Sequence, residues 1–343
     1  MSTIEVTESE TGTVDGMKNG TQLIKTTATW LMIFMLALAA CIVTIVVVNN
    51  KSFGPEGTVS HYLKALEAGD GAKALGLLQA KVPAGNAAGL DRAALSASME
   101  GLKDLTIGDA VDGPDGQKIV TVSYTIDDVG YSTEFKLVSG SKQWLFFDTW
   151  QMVPGTLPHV DVSVVNANQA SINGVDVNMP DGRNSFAVFY PGRYEFEYRS
   201  PLFAAPPVAS AVTGQGAVSA VGLATGPTSE LLSQVDGTIR SYLDACTEQA
   251  VLMPTGCPMS ASTDNRVVSD VKWSILEYPT ISITPYGGQW VLAPLTGKAE
   301  VAYQEQNLFT GLITDVKVPS DFTFSATLSI NGTDVNVTPV LDY

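Results

Sequence analysis

The chain is poor in the residues that most often carry chemistry. Of its 343 residues, only 2 are His and 3 are Cys. So few soft ligands, widely spaced, exclude a zinc ribbon or a multi-histidine metal centre, and no cofactor is expected. Cationic side chains are also scarce: 19 Lys and Arg stand against 35 Asp and Glu, a net charge of −16. A nucleic-acid partner needs clustered positive charge to displace counterions from phosphate, so none is expected here. Only 16% of residues are charged while 45% are apolar, which excludes wholesale disorder. No GxSxG elbow, glycine-rich phosphate loop, calcium loop or zinc-binding helix motif occurs.

What the chain does have is one long apolar run. Residues 30–48 read WLMIFMLALAACIVTIVVV, with Thr44 the only polar member. At about 1.5 Å per residue this spans roughly 28 Å, close to the hydrocarbon thickness of a bilayer. Trp30 opens it where an interfacial aromatic anchor is expected, Val48 closes it, and Lys25 and Lys51 bracket it. The reading is a disordered cytoplasmic tail over 1–25 and a single transmembrane helix within 26–50. Lys18 and Lys25 near the membrane end predict an N-terminus inside and everything beyond about residue 52 outside. All but 2 of the Lys and Arg and all but 4 of the Asp and Glu lie beyond residue 50, so the acidity belongs to that exterior part. Leu38-Ala39-Ala40-Cys41 also resembles a bacterial lipobox. Lipidation at Cys41 therefore stands as the alternative to an uncleaved helix.

The exterior part divides by changes of period. Within 54–153, Val59, Tyr62, Leu63 and Leu66 mark one face of a helix. Further short helices are expected over 72–78 and 91–99. Val120, Val122, Tyr124 and Ile126 then alternate with Thr and Ser as in a half-buried strand, Asp127-Asp128 turn the chain, and strands follow over 131–138 and 143–152. Residues 158–225 read as short strands only, with hairpin signals at Asn173-Gly174 and Pro191-Gly192. Residues 204–226, rich in Ala, Gly, Pro and Ser, read as its boundary. Residues 227–343 begin with an amphipathic helix capped by Thr228 or Ser229, then strands, including an alternating run over 321–330 turned by Asn331-Gly332. The predicted fold class is α+β throughout: an α+β domain, a small all-β module and a second α+β domain.

The segment VSHYLKALEAGDGAKALGLL, closed by strands ending in GSKQWLFFDTW, resembles the NTF2-like cone fold, in the exported versions that follow a single membrane helix in bacterial envelope proteins. The pattern VNA…SING…FYPGRYEF is similar to the small β modules that alternate with such domains in TcaA-like envelope proteins. That resemblance implies an actinobacterial-type single-pass envelope protein with a possible second NTF2-like unit at its end. Those relatives often carry a cytoplasmic zinc ribbon before the membrane helix; this chain has no CxxC pair there.

Candidate sites are few. Cys246 ends the amphipathic helix and Cys257 follows Pro254-Thr255-Gly256, so the chain can fold back to join them. A structural disulfide is expected, since a redox-active pair would need closer CxxC geometry. Tyr124, Asp148 and Trp150 are the residues an NTF2-like pocket could use. His61 and His159 have no nucleophile to serve. Phe189, Tyr190, Tyr194, Phe196, Tyr198 and Phe203 form either a binding face or the core of the β module. Two functions remain open: a non-catalytic membrane-anchored protein that binds or scaffolds envelope proteins or cell-wall components, or a pocket enzyme or small-ligand carrier.

Overall fold

A computed structural model describes residues 27–44, 54–140 and 149–341, and its architecture is α+β with one N-terminal apolar helix. Helix α1 (Thr27–Thr44) is 18 residues long and none of it is buried. Its Thr44 hydroxyl donates to the Ala40 carbonyl one turn back at 2.8 Å, so the polar side chain is satisfied inside the helix. Val48 lies outside the described residues.

Beyond α1 the elements follow the predicted periods closely. Helices α2 (Pro55–Glu67), α3 (Gly71–Leu78) and α4 (Arg92–Glu100) come first, with Asp70 capping α3 through the Lys73 amide at 3.0 Å. Seven strands accompany them: β1 (Ala80–Lys81), β2 (Lys103–Ile107), β3 (Val111–Asp112), β4 (Lys118–Ile126), β5 (Val129–Ser139), β6 (Trp150–Met152) and β7 (Gly155–Thr156). The sheet order is β2-β4-β5-β6, with β3 on β4 and β1 paired separately with β7. Asp127 and Asp128 both take left-handed conformations (φ 48° and 62°), as a two-residue hairpin turn requires.

The chain forms two compact units, and α2, β4 and β5 each contribute to both. One takes in the described residues up to Tyr62 with Ile107–Val122 and Glu134–Val153. Its core joins Val59, Tyr62, Val120, Val122, Phe135 and Leu137, with the Tyr62 and Phe135 rings edge to face at 5.5 Å. The Glu56 carboxylate accepts the Ala110 amide at 2.8 Å, tying the first turn of α2 to the strand region.

The other unit takes in Leu63–Thr106, Ser123–Thr133 and everything from Pro154. Its middle is a β sandwich. Strands β8 (His159–Val164), β9 (Gln169–Ile172), β10 (Val175–Asn178), β11 (Arg183–Ala187), β12 (Gly192–Arg199), β13 (Phe203–Val212), β14 (Val221–Leu223) and β15 (Gly226–Pro227) form two sheets. One has the order β10-β9-β12-β13-β15, the other β11-β8-β14, with β14 parallel to β8. Alternation along β8 and β12 sends Val160, Val162, Tyr194 and Phe196 inward, where Phe196 meets Phe186 of the facing sheet at 5.9 Å. Most of the aromatic cluster is therefore core: Phe189, Tyr194 and Phe196 are fully buried.

Residues 204–226, expected to finish the β module and bound it, are paired sheet over much of their length. They hold β13, which pairs along most of β12, and β14. Their composition hides the strand because Pro206 and Pro207 cannot donate to a ladder; both sit where the register slips between Phe196 and Tyr198.

The end of this unit is built on helix α5 (Ser229–Thr247). Thr228 is its N-cap and accepts the Leu231 amide at 3.3 Å. Leu231, Val235, Ile239, Leu243 and Cys246 share one buried face. They pack with residues of β17 (Lys272–Glu277), β20 (Leu295–Gln306), β21 (Ile313–Asn331) and β22 (Asp334–Val340); β16 (Arg266–Val267), β18 (Ile283–Tyr286) and β19 (Gln289–Leu292) complete the set. Gly297 is required here, because a Cβ would lie 2.5 Å from the Phe322 ring. The stacked rings of Phe203 and Trp290, 4.4 Å apart, join the sandwich to this last region.

Candidate functional site

The predicted cysteine pair is bonded. Cys246 and Cys257 form a disulfide with Cα atoms 5.8 Å apart. The loop it closes is further tied down: the Gln249 side chain accepts the Thr255 amide and donates to its carbonyl, and the Tyr242 hydroxyl donates to the Gly256 carbonyl at 2.6 Å. The Trp273 indole donates to the Val251 carbonyl at 2.9 Å. Each bond holds the covalent bridge against the core face of α5, the geometry of a structural staple.

Of the predicted pocket residues, Tyr124 lies on β4 and Trp150 on β6. Tyr124 and Trp150 fall in different compact units, and Asp148 lies outside the described residues. Tyr124 is 2% exposed. Thr133 donates its hydroxyl proton to the Thr213 carbonyl at 2.7 Å, so the Tyr124 hydroxyl must donate to Thr133, 2.8 Å away. Burial pushes the Tyr124 pKa up, partly offset by this hydrogen bond, and the phenol stays protonated. Trp150 is half-buried at the start of β6, with its carbonyl accepting the Thr58 hydroxyl at 3.3 Å. His61 and His159 are both exposed, the latter 3.9 Å from Asp161. Among the described residues, no three His, Cys, Asp or Glu side chains gather as metal ligands.

Several concave surfaces lie in the larger unit, one of about 300 Å³ beside Asp161, Ser163, Arg183 and Asn184 on β8 and β11 and two others of more varied lining. A cavity of about 320 Å³ covers the outer face of β10, β9 and β12, lined by Ser171, Asp176, Asn178, Glu197, Tyr198 and Arg199 among others. Its most enclosed acid, Glu197, sits 2.7 Å from Arg199 and so is held as an ion pair. A wider trough of about 620 Å³ runs along β17, β20 and β21 beside Lys272, Tyr303, Asp315 and Lys317. Both offer hydrogen bonds and charge among apolar side chains, and among the described residues neither pairs a nucleophile with a base.

The feature that sequence reading missed is the loop between β20 and β21. Leu308, Phe309, Leu312 and Ile313 are 65%, 99%, 64% and 53% exposed. Its signal was available as seven uncharged residues, NLFTGLI over 307–313, inside an otherwise charged hairpin. Comparison with protein families, curated proteins and solved structures finds no match to this chain.

Proposed function

We propose that this chain is a single-pass protein of a bacterial cell envelope, anchored by α1 with its N-terminus in the cytoplasm. Its extracytoplasmic part binds or scaffolds other envelope proteins or cell-wall components and performs no catalysis. The proposal includes an NTF2-like first domain and kinship with TcaA-like proteins that has lost the zinc ribbon. The observation that carries this reading is the pairing of an unburied 18-residue apolar helix with a formed disulfide far along the same chain. The helix suits a bilayer by length, and the disulfide suits an oxidising compartment. Together they support a chain whose apolar helix sits in a bilayer and whose disulfide-bearing part lies in an oxidising compartment. Support for binding over catalysis comes from Tyr124, whose hydroxyl is committed to the fold, and from surface cavities that lack a nucleophile and base pair.

The test is thiol labelling in intact cells followed by crosslinking. Cys246 and Cys257 should resist an impermeant maleimide until reduced, and crosslinked membranes should yield a second envelope component. Free thiols at both positions would overturn the compartment assignment. Recovery of this chain alone with a bound small molecule would replace the scaffold by a carrier.

A further inference from the structure

We propose that the β20–β21 hairpin tip, residues 308–313, inserts into the same bilayer that holds α1, giving the exterior part a second membrane contact. The proposal rests on the membrane reading of α1. Three observations favour lipid over a protein partner.

The first is the hydrogen bonding of the tip. Backbone can enter hydrocarbon only if its polar groups are satisfied internally. The Asn307 carboxamide oxygen accepts the amides of Phe309 and Thr310 at 2.9 and 3.0 Å. The Gly311 amide donates to the Asn307 carbonyl and the Asn307 amide to the Leu312 carbonyl, both at 2.9 Å. The Leu312 amide reaches the Thr310 hydroxyl at 3.4 Å, and the Gln306 side chain donates to the Gly311 carbonyl at 3.2 Å. Gly311 adopts φ 71°, which lets the loop close this tightly. The amides from Phe309 to Leu312 are thus satisfied within the loop, while the Leu308 amide and the Leu308, Phe309 and Thr310 carbonyls are left to solvent, which suits the hydrated headgroup boundary and not the hydrocarbon centre.

The second is the distribution of charge. No ionisable residue lies between Glu305 and Asp315. Those two carboxylates are themselves held: Glu305 by Thr263 and Asn265, Asp315 by Gln304. With about 3.3 Å per strand residue, the tip extends roughly 10 Å past them. That matches the about 5–10 Å to which apolar faces sink at the headgroup boundary, leaving the acids in water.

The third is size. Four exposed apolar side chains fall far short of the roughly 20–30 residues a side of a stable protein interface. A bilayer needs no shape complementarity, and a chain already tethered by α1 meets that bilayer at high effective concentration.

Depth measurement on the full chain in phosphatidylcholine proteoliposomes tests this. A nitroxide is placed at Phe309→Cys in a Cys41→Ala background, with the disulfide left oxidised. The native Cys41 carries the label in a second sample, and Thr333→Cys of the C-terminal hairpin, also in Cys41→Ala, serves as a third. Oxygen collisions should exceed nickel-chelate collisions at 309 and 41, with the ratio inverted at 333. Water-like collision rates at 309 with a buried 41 overturn the tip insertion and leave the anchor intact. A water-like 41 overturns the anchor itself. Shielding of 309 from both reagents identifies a protein contact and overturns the lipid assignment, as does burial of 309 that appears only when a second population of vesicles is added. Each labelled variant is read only after its disulfide and far-ultraviolet spectrum match the parent.

Discussion

Residues 171–178 and 329–336 share seven of eight residues, SINGVDVN and SINGTDVN, yet they form hairpins that pair differently. In the first, Ile172 faces Val175 and the loop is Asn173-Gly174, both left-handed (φ 47° and 79°). In the second, Ile330 faces Val335, Asn331 faces Asp334, and the loop is Gly332-Thr333 with Gly332 at φ 65°. The partner strand has slid by two residues, so every side chain keeps its face and the apolar pattern cannot choose between the two. Two other forces choose. The Asn173 carboxamide is held in its left-handed place by the Glu195 amide at 2.7 Å and by the carbonyls of Ala94 at 2.9 Å and Arg193 at 3.3 Å. Asn331 is exposed. The single differing residue also sits where it matters: Val175 pairs inward with Ile172, whereas Thr333 takes the second loop position after a glycine, a favoured hairpin arrangement. An Asn-Gly pair thus predicts a turn but does not fix its register.

The contrast can be broken at several points. The largest effect is expected at the isoleucines. Ile172→Ala, at a fully buried site, should cost about 3–4 kcal/mol by denaturant unfolding, against about 1 kcal/mol for the half-buried Ile330→Ala. Equal losses would show that the two hairpins carry the same packing. Next, Asn173→Ala removes three hydrogen bonds and a tolerated left-handed residue, for about 2–3 kcal/mol, while Asn331→Ala should change stability by less than about 0.5 kcal/mol.

A pH experiment separates the sheets that carry the hairpins. Tyr194, beside the first hairpin, bonds both the amide and carbonyl of Phe189, and burial pushes its pKa up to about 12. In the unfolded chain the phenol ionises near 10, so the unfolded state loses its proton first. The Tyr194 contribution, up to about 2–3 kcal/mol, is complete below pH 10 and falls away as pH rises toward 12. Tyr194→Phe should flatten that part of the stability curve; an unchanged curve would assign the alkaline loss elsewhere. The smallest energetic effect, under about 0.5 kcal/mol, is expected for Thr333→Val. Its readout is register: contacts between residue 333 and Ile330 by nuclear Overhauser effects would mark a shift to the Asn-Gly turn, and their absence would show that tertiary packing alone sets the pairing.

Much of the fold was legible because periodicity reports burial directly. The faces of α2 and α5, the alternation of β4 and β12, and the inward Phe322 and Phe324 all follow from where water is excluded. The cysteine pair was legible for the same local reason, a helix end and a turn within reach of each other. Strand β13 was not, since its proline and alanine content matches a linker and only its pairing with β12 reveals it. The 307–313 tip escaped notice because an apolar loop looks like core until the surrounding chain is seen to leave it bare.

By itself the sequence determined the apolar helix, the acidic balance of the chain beyond it, the helix and strand periods and the positions of turns, all properties set within a few residues by sterics and solvation. Only the tertiary structure decided which strands neighbour one another, that the aromatic cluster is core, which of two registers an Asn-Gly hairpin adopts, and that Phe309 faces outward. Those outcomes depend on residues far apart in the chain. Asn173 needs Ala94 and Arg193 to hold it, and Phe309 is exposed because no other described residue covers it. Long-range contact is the one quantity a local pattern does not encode.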